Sequence, residues 1–255
     1  MASKGFGEIK GPLTLWVLFT LYFVALIMFG GSSKGTFPSE FTIFVVLSLL
    51  LNIAMNGGVF LVLLVIFLAL WEKRRSLGDI FSSIGLKKEG SVKSVLWSIA
   101  LFPFCLAVGL IMVMLSHFLG PIPFLRAFGS SSEQFPLWYS YYVIINAFFP
   151  VAVVEEAVGR GYILDRLLPQ HPSSIVKAFP AILLSSLLFT LWHLPSYLRV
   201  YSFSLPWVVA LLAGNVFPLS VVLSIAYVRA RTRNIIGPVL IHFLLDSIPI
   251  VLQLA

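Results

Sequence analysis

Long apolar runs with few charges constrain this chain more than any other feature. Of its 255 residues, 59% are hydrophobic and only 11% are charged, and the mean hydropathy is +1.01. Runs of about 20 apolar residues have the length that an α-helix needs to cross roughly 30 Å of hydrocarbon. Because a backbone in lipid must satisfy its own hydrogen bonds, and the alternating pattern of barrel strands is absent, such runs cross as helices. The sequence therefore predicts an all-α, polytopic transmembrane helical bundle.

The apolar runs predict about seven spans, with eight as the alternative, in a single membrane domain over residues 1–255. The polar connectors at 72–91 and 120–135 are too short to fold as separate domains. The second run is too long for one upright helix and has Asn52 to Gly58 at its middle, so a tilted, a kinked and a broken helix all fit it. The predicted spans are 12–29, 40–71, 92–119, 136–158, 176–197, 205–228 and 235–254.

The positions of lysine and arginine predict a cytoplasmic N-terminus. Under the positive-inside rule, that orientation places most of the basic connectors on the cytoplasmic side. The net charge of +7 therefore reports topology, and we expect no nucleic-acid partner. We expect a multi-pass protein of a prokaryotic cell membrane or a eukaryotic endoplasmic reticulum, in contact with membrane lipids; its oligomeric state is left open. In this orientation Lys4 and Lys10 lie on the cytoplasmic side. The opposite side receives only Lys34, Arg126 and Arg199.

The connector at 72–91 is strongly basic. We expect its charges to fix the topology and to attract anionic lipid headgroups. The alternative is that it also guides the tail of a substrate.

Two adjacent glutamates interrupt the apolar pattern at Glu155 and Glu156. A charged side chain near the bilayer centre costs about 2.5–3.5 kcal/mol on insertion scales, so it requires a partner or a task. Arg160 lies four residues after Glu156 and shares its helix face, whereas Glu155 is rotated by about 100°. The spacing therefore predicts a neutralised Glu156 and a free Glu155 that suits a general base. The alternative is that both glutamates cap a helix or extend to the interface.

Two further polar intrusions lie in later spans. Phe189 and His193 are four residues apart, as are His242 and Asp246, so each pair shares a helix face. A lone intramembrane histidine is often a packing residue, and a His–Asp pair also occurs as a polar clasp between helices. Together with Glu155, these intrusions in three spans favour a functional site.

The three motifs, taken in order, resemble the signatures of the CAAX prenyl endopeptidase family, which comprises CAAX proteases and bacteriocin-processing enzymes and includes the Ras-converting type. The resemblance covers about residues 150–250. Gly159 stands where relatives often carry an aromatic residue, and Asp246 stands where the Ras-converting type usually has asparagine. The motifs are Glu155-Glu156-x-x-x-Arg160, Phe189-x-x-x-His193 and His242-x-x-x-Asp246.

This resemblance implies an intramembrane endopeptidase with a conical catalytic cavity and a catalytic core at about 136–254. Its substrate would be a prenylated CAAX peptide or protein, from which the last three residues are removed near the cytoplasmic side. Glu155, helped by His193, would activate a water molecule. His242 and Asp246 would stabilise the oxyanion and position the substrate.

Glu156 and Arg160 would hold the helix and tune Glu155. No cofactor is expected. Two histidines and a glutamate also form a zinc-ligand set, but the histidines lie on different helices and there is no His-Glu-x-x-His motif. We therefore expect a metal-independent, glutamate-type protease.

The depths of Glu155 and His193 test this interpretation. His193 lies about 18 residues, or roughly 27 Å, along its helix from the preceding connector. For the two side chains to meet, we predict that the Glu155 helix continues past Arg160 toward Leu168. The rival classes are a transporter or ion relay built on the same polar residues, and a non-catalytic scaffold or immunity-type member of the fold.

Overall fold

The computed structural model describes residues 9–29, 54–119, 144–169, 174–200 and 204–254, together with isolated positions from 43 to 51. All regular elements of these residues are helical, which confirms the all-α prediction. The predictions for Lys4, Lys34, Arg126, the connector 120–135 and the first parts of the spans 40–71 and 136–158 lie outside the described residues.

Four helices are described among residues 9–29 and 54–119. The predicted irregularity near Asn52 to Gly58 corresponds to a π-helical turn, Ala54–Gly58, that leads directly into α2. The short helix α3 lies inside a stretch predicted only as a connector, and its first turn is capped by Ser76, whose Oγ accepts from the backbone N–H of Asp79. The helices are α1, Lys10–Phe29; α2, Val59–Trp71; α3, Leu77–Ser83; and α4, Ser91–Leu119.

The second half of the chain contains the predicted motifs. The helix α5 carries the glutamate pair, α6 carries His193, and α8 carries His242 and Asp246. The helix α7 carries no predicted motif. The four helices are α5, residues 147–167; α6, Ile175–Val200; α7, Leu205–Ala230; and α8, Ile236–Leu254.

Several helices have the dimensions of membrane spans. Among the described residues, three are long and apolar enough to cross a bilayer: Ser91–Ile111, Ile175–Arg199 and Leu205–Ala230. Val59–Trp71 and Ile236–Ser247 are shorter apolar helices. Their length and composition indicate an integral membrane protein, while the number of spans stays a prediction.

Helix α5 lies at the centre of the bundle. Every residue of its segment Ala157–Leu164 is buried. It packs against α6 and α1, while α4 packs against α7 and α8. The opposite side of α4 exposes large apolar side chains, among them Leu96, Leu110 and Met114, as expected of a surface in contact with lipid.

Two glycines allow backbones to approach closely around the motif-bearing helices. A Cβ on Gly161 would overlap the carbonyl oxygen of Ile84, so α5 lies directly against the connector between α3 and α4. Gly237 makes a similar approach to the carbonyl of Ser94, and its N–H donates to the Ser94 Oγ at 3.1 Å. The start of α8 is thereby fixed against the start of α4.

An ion-pair network holds the C-terminal end of α5. Arg166 donates to both oxygens of Glu72, at 2.8 and 2.7 Å, and to Asp165 at 2.9 Å. Asp165 also accepts from Tyr227 at 3.0 Å. Burial tends to raise the pKa of Glu72, but the hydrogen bonds and positive charge of Arg166, aided by Arg74, outweigh it and hold that pKa below its usual value. The network ties α5 to the ends of α2 and α7.

Candidate active site

Glu155 and Glu156 lie on a single α-helical turn of α5. This turn, Val154–Glu156, stands between the π-helical segments Ala147–Val153 and Ala157–Leu164. π-Helical turns are rare and occur frequently at functional sites. The helix continues past Arg160 and ends at Leu167, with Leu168 as its C-cap. The predicted extension of this helix is therefore confirmed.

Glu156 and Arg160 form the predicted ion pair. Arg160 Nη1 lies 2.8 Å from Glu156 Oε1, and both side chains are almost completely buried. The Nη2 of Arg160 donates to Ser220, at 2.9 Å to Oγ and 3.2 Å to the carbonyl oxygen. Because removing one partner of a buried ion pair leaves an uncompensated charge, this pair constrains α5 strongly. The role of Ser220, on α7, was missed by the sequence analysis.

His193 lies beside Glu155, at the same depth. Its Nε2 is 3.3 Å from Glu155 Oε2, and its Nδ1 is 2.8 Å from the carbonyl oxygen of Phe189. Since a carbonyl can only accept, the Nδ1 of His193 is the donor in that bond. This bond fixes the ring with Nε2 toward the carboxylate, so Glu155 and His193 meet as predicted.

His242 joins both glutamates. Its Nδ1 lies 2.8 Å from Glu156 Oε1, and its Nε2 lies 3.8 Å from Glu155 Oε2. Since the Glu156 carboxylate already accepts from Arg160, the Nδ1 of His242 is the donor. The contact between His242 and Glu156 was not predicted, because the spacing had assigned Glu156 to Arg160 alone. Asp246 Oδ2 lies 3.5 Å from His242 Nε2, which agrees with their predicted shared face.

The cluster surrounds one oxygen atom. Oε2 of Glu155 is buried and has no aligned hydrogen bond to any residue that the structure describes, although both imidazole Nε2 atoms face it. Asp246, whose side chain is 39% exposed, forms the open end of the cluster. A carboxylate oxygen and two ring nitrogens around one space are suited to hold a water molecule and accept its proton.

The comparison with known protein families gives a match over residues 136–248 to the model described as type II CAAX prenyl endopeptidase, Rce1-like. The match supports the similarity of residues 136–248 to the CAAX protease family. No curated protein and no solved structure matches the chain. The matched segment contains all three motifs, so the predicted resemblance is confirmed. The family supports a peptidase of the membrane.

The departure of Gly159 from the usual pattern of the CAAX proteases has a structural basis. The ring of Phe189 lies against α5 here, and a Cβ on Gly159 would approach its Cδ2 to 3.0 Å. The same ring also lies against the Arg160 guanidinium, 4.3 Å from the ring centroid, and against the His193 ring, at 4.7 Å between centroids. Glycine thus makes room for an aromatic ring that contacts both Arg160 and His193.

The alternative prediction for this cluster is a zinc site formed by two histidines and a glutamate. Among the described residues, no group of three or more His, Cys, Asp or Glu side chains is arranged to hold a metal ion. The atoms that a zinc ion would use in this cluster are the Nε2 atoms of His193 and His242 and a carboxylate oxygen of Glu155. A metal-independent mechanism stays a prediction.

Proposed function

We propose that the protein is an intramembrane endopeptidase that removes the C-terminal tripeptide of prenylated CAAX proteins. The observation that supports this most is the convergence of His193 Nε2 and His242 Nε2 on Glu155 Oε2, at 3.3 and 3.8 Å. The convergence lies within the segment that matches the CAAX protease family. Peptidase chemistry follows from the family, whereas the prenylated substrate is part of the proposal.

Glu155 acts as the general base. A water molecule between Glu155 Oε2 and His193 Nε2 gives a proton to the carboxylate while its oxygen attacks the scissile carbonyl. The same proton then passes to the departing amine, so that no charge is left on the leaving group. The bond from His193 Nδ1 to the Phe189 carbonyl keeps Nε2 aimed at the water during both steps.

His242 stabilises the oxyanion. An imidazolium ring donates from Nδ1 to Glu156 and from Nε2 to the negatively charged oxygen that forms on the carbonyl carbon. Asp246, next to Nε2 and at the open end, holds the ring and positions the substrate. Glu156 and Arg160 position this machinery, since Glu156 Oε1 contacts both Arg160 and His242 at 2.8 Å.

The proposal includes the wider architecture. The chain is one membrane domain over residues 1–255, a bundle of about seven helices with a catalytic core at about 136–254 and a conical cavity. A cytoplasmic N-terminus places the site within reach of the cytoplasm, and an isoprenoid chain remains in hydrocarbon while the peptide enters the wet cavity. Asp246 is more exposed than the two histidines, which supports an opening of the cluster beside Asp246.

A cleavage assay with three peptides tests the substrate class. The purified protein is incubated with a farnesylated CAAX peptide, the same peptide without the prenyl group, and a farnesylated peptide with a blocked C-terminus. We expect tripeptide release only from the first, with no effect of a chelator and almost none in Glu155→Ala. Equal cleavage of the unprenylated peptide would contradict the substrate class, and inhibition by the chelator would contradict the metal-independent mechanism.

A further inference from the structure

Two connectors that are far apart in sequence form one rigid surface. The first joins α3 to α4, and the second joins α7 to α8. The side-chain amide of Asn234 donates to the carbonyl oxygens of Lys87, at 2.6 Å, and Glu89, at 3.1 Å, and its Oδ1 accepts from the N–H of Ile236. The N–H of Ile235 donates to the carbonyl oxygen of Gly85 at 3.1 Å. Asn234 thus caps α8 and fastens the two connectors together.

Exposed cations without an ion partner cluster on and beside these connectors. Of the neighbouring carboxylates, Glu72, Asp79 and Asp165 already pair with other arginines, and Glu89 forms no ion pair with a described residue, so the cations outnumber the free carboxylates. Within the described residues these cations form no ion pair, and we call them the basic surface: Lys73, Arg75, Lys88, Lys93, Arg229 and Arg231.

The basic surface lies where several apolar helices end. Helix α2 ends just before Lys73, α4 begins just before Lys93, and α7 ends just before Arg231. Exposed apolar side chains border the same connectors. They are Leu70, Trp71, Leu77, Phe81 and Val92. Cations beside exposed aromatic and aliphatic side chains are typical of segments that lie in the interfacial layer of a bilayer.

Two cations of the basic surface have an unfavourable backbone conformation. Lys73 and Arg231 both have φ 55, in the left-handed region. Glycine is the residue that this region favours, above all at the C-terminal end of a helix, where Lys73 follows the C-cap Glu72 of α2 and Arg231 is the C-cap of α7. A positive charge near a helix C-terminus gains a modest dipole interaction, which any nearby exposed lysine or arginine would also provide. Residues kept in such conformations often serve a function, and the positive charge is what Lys73 and Arg231 have in common.

We propose that the basic surface binds the headgroups of anionic phospholipids. The position of the surface at the ends of apolar helices and its apolar border favour a lipid over a soluble acidic protein, which would not need that border. Each lysine or arginine near an anionic membrane surface strengthens the attraction roughly fivefold. The lipid would hold the start of α8, and hence the helix that carries His242. This inference does not depend on the proteolytic activity.

Native mass spectrometry tests the proposal with the full-length protein. The protein is extracted from bilayers of equimolar phosphatidylglycerol and phosphatidylcholine, and the ratio of the two lipids retained is measured. The double variant Lys73→Gly/Arg231→Gly removes two cations and relaxes the backbone at both positions. We expect the preference of the wild type for phosphatidylglycerol to fall by up to about 25-fold in this variant, while its thermal stability is equal or higher.

The matched control is Lys73→Arg/Arg231→Lys, which keeps both charges and both strained positions. We expect it to retain phosphatidylglycerol like the wild type. The proposal is overturned if the wild type shows no preference between the two lipids, or if the glycine variant keeps the full preference. Capture of polyglutamate by a wild type that has no lipid preference would identify an acidic polypeptide as the occupant and would also overturn it.

Discussion

Ser220 offers a sharp test of how the site is held. It accepts from Arg160 Nη2 at 2.9 Å through Oγ, and both residues are buried. Hydrogen bonds to charged groups contribute about 1.5–3 kcal/mol to stability. In Ser220→Ala, Arg160 keeps its ion pair with Glu156 and the 3.2 Å bond to the Ser220 carbonyl, so we expect a loss of about 1.5–3 kcal/mol and an intact fold.

The same change should slow the reaction. Arg160 positions Glu156, which in turn holds Nδ1 of His242. If about 1.4 kcal/mol of the lost interaction belongs to the transition state, kcat falls roughly tenfold. Ser224→Ala is the matched control, because Ser224 lies one turn further along α7 and is buried, and its Oγ has no hydrogen-bond partner among the described residues.

The assay measures kcat for tripeptide release and the unfolding midpoint for both variants. We expect Ser220→Ala to lose activity and stability, and Ser224→Ala to match or exceed the wild type in stability. Equal behaviour of the two variants in both measurements would refute the reasoning, since only one of the two hydroxyls contacts Arg160.

Three further predictions concern α5 and its surroundings. Glu156→Gln leaves the buried charge of Arg160 uncompensated, so we expect a loss of about 3–5 kcal/mol in the free energy of unfolding, measured by denaturant titration; a loss below that of Ser220→Ala would contradict it. Glu72→Gln should be less stable than the wild type at neutral pH. Because the folded-state pKa of Glu72 is lowered, its contribution is present above the unfolded pKa of about 4.3 and disappears as the pH falls through the folded value; a difference that stays constant in thermal unfolding at acidic pH would refute this. Gly161→Ala should severely destabilise the protein, because its Cβ would overlap a backbone carbonyl, whereas Gly58→Ala, whose Cβ would have no atom of the described residues within 4 Å, should not; expression level and unfolding midpoint measure both.

Local spacing predicted the contacts within single helices. The pair Glu156–Arg160 and the pair His242–Asp246 both follow from four-residue separations along one face. The continuation of α5 to Leu167 followed from the requirement that Glu155 and His193 share one depth. These predictions needed only helix geometry and the length of the connectors.

Contacts between distant helices could not be derived in this way. Glu156 and His242 are 86 positions apart, and their contact depends on how α8 packs against α5. Ser220 carries no motif, since a serine in an apolar helix has no pattern that distinguishes it from Ser224. The π-helical segments around Glu155 have no spacing signal that separates them from an α-helix, because Arg160 is their only charged residue and apolar side chains or glycines fill nearly all the other positions. The contact between Glu156 and His242, the role of Ser220 and the π-helical segments all depend on how the helices pack, which the composition does not specify.

The central claim is that Glu155 activates the attacking water. The most direct measurement is the rate of tripeptide release from a farnesylated CAAX peptide by the wild type and by Glu155→Gln, which keeps the size of the side chain but cannot accept the proton, at equal amounts of folded protein. We expect the wild type to release the tripeptide and Glu155→Gln to be slower by at least about 100-fold, the range of general-base catalysis. A variant as fast as the wild type would contradict the account.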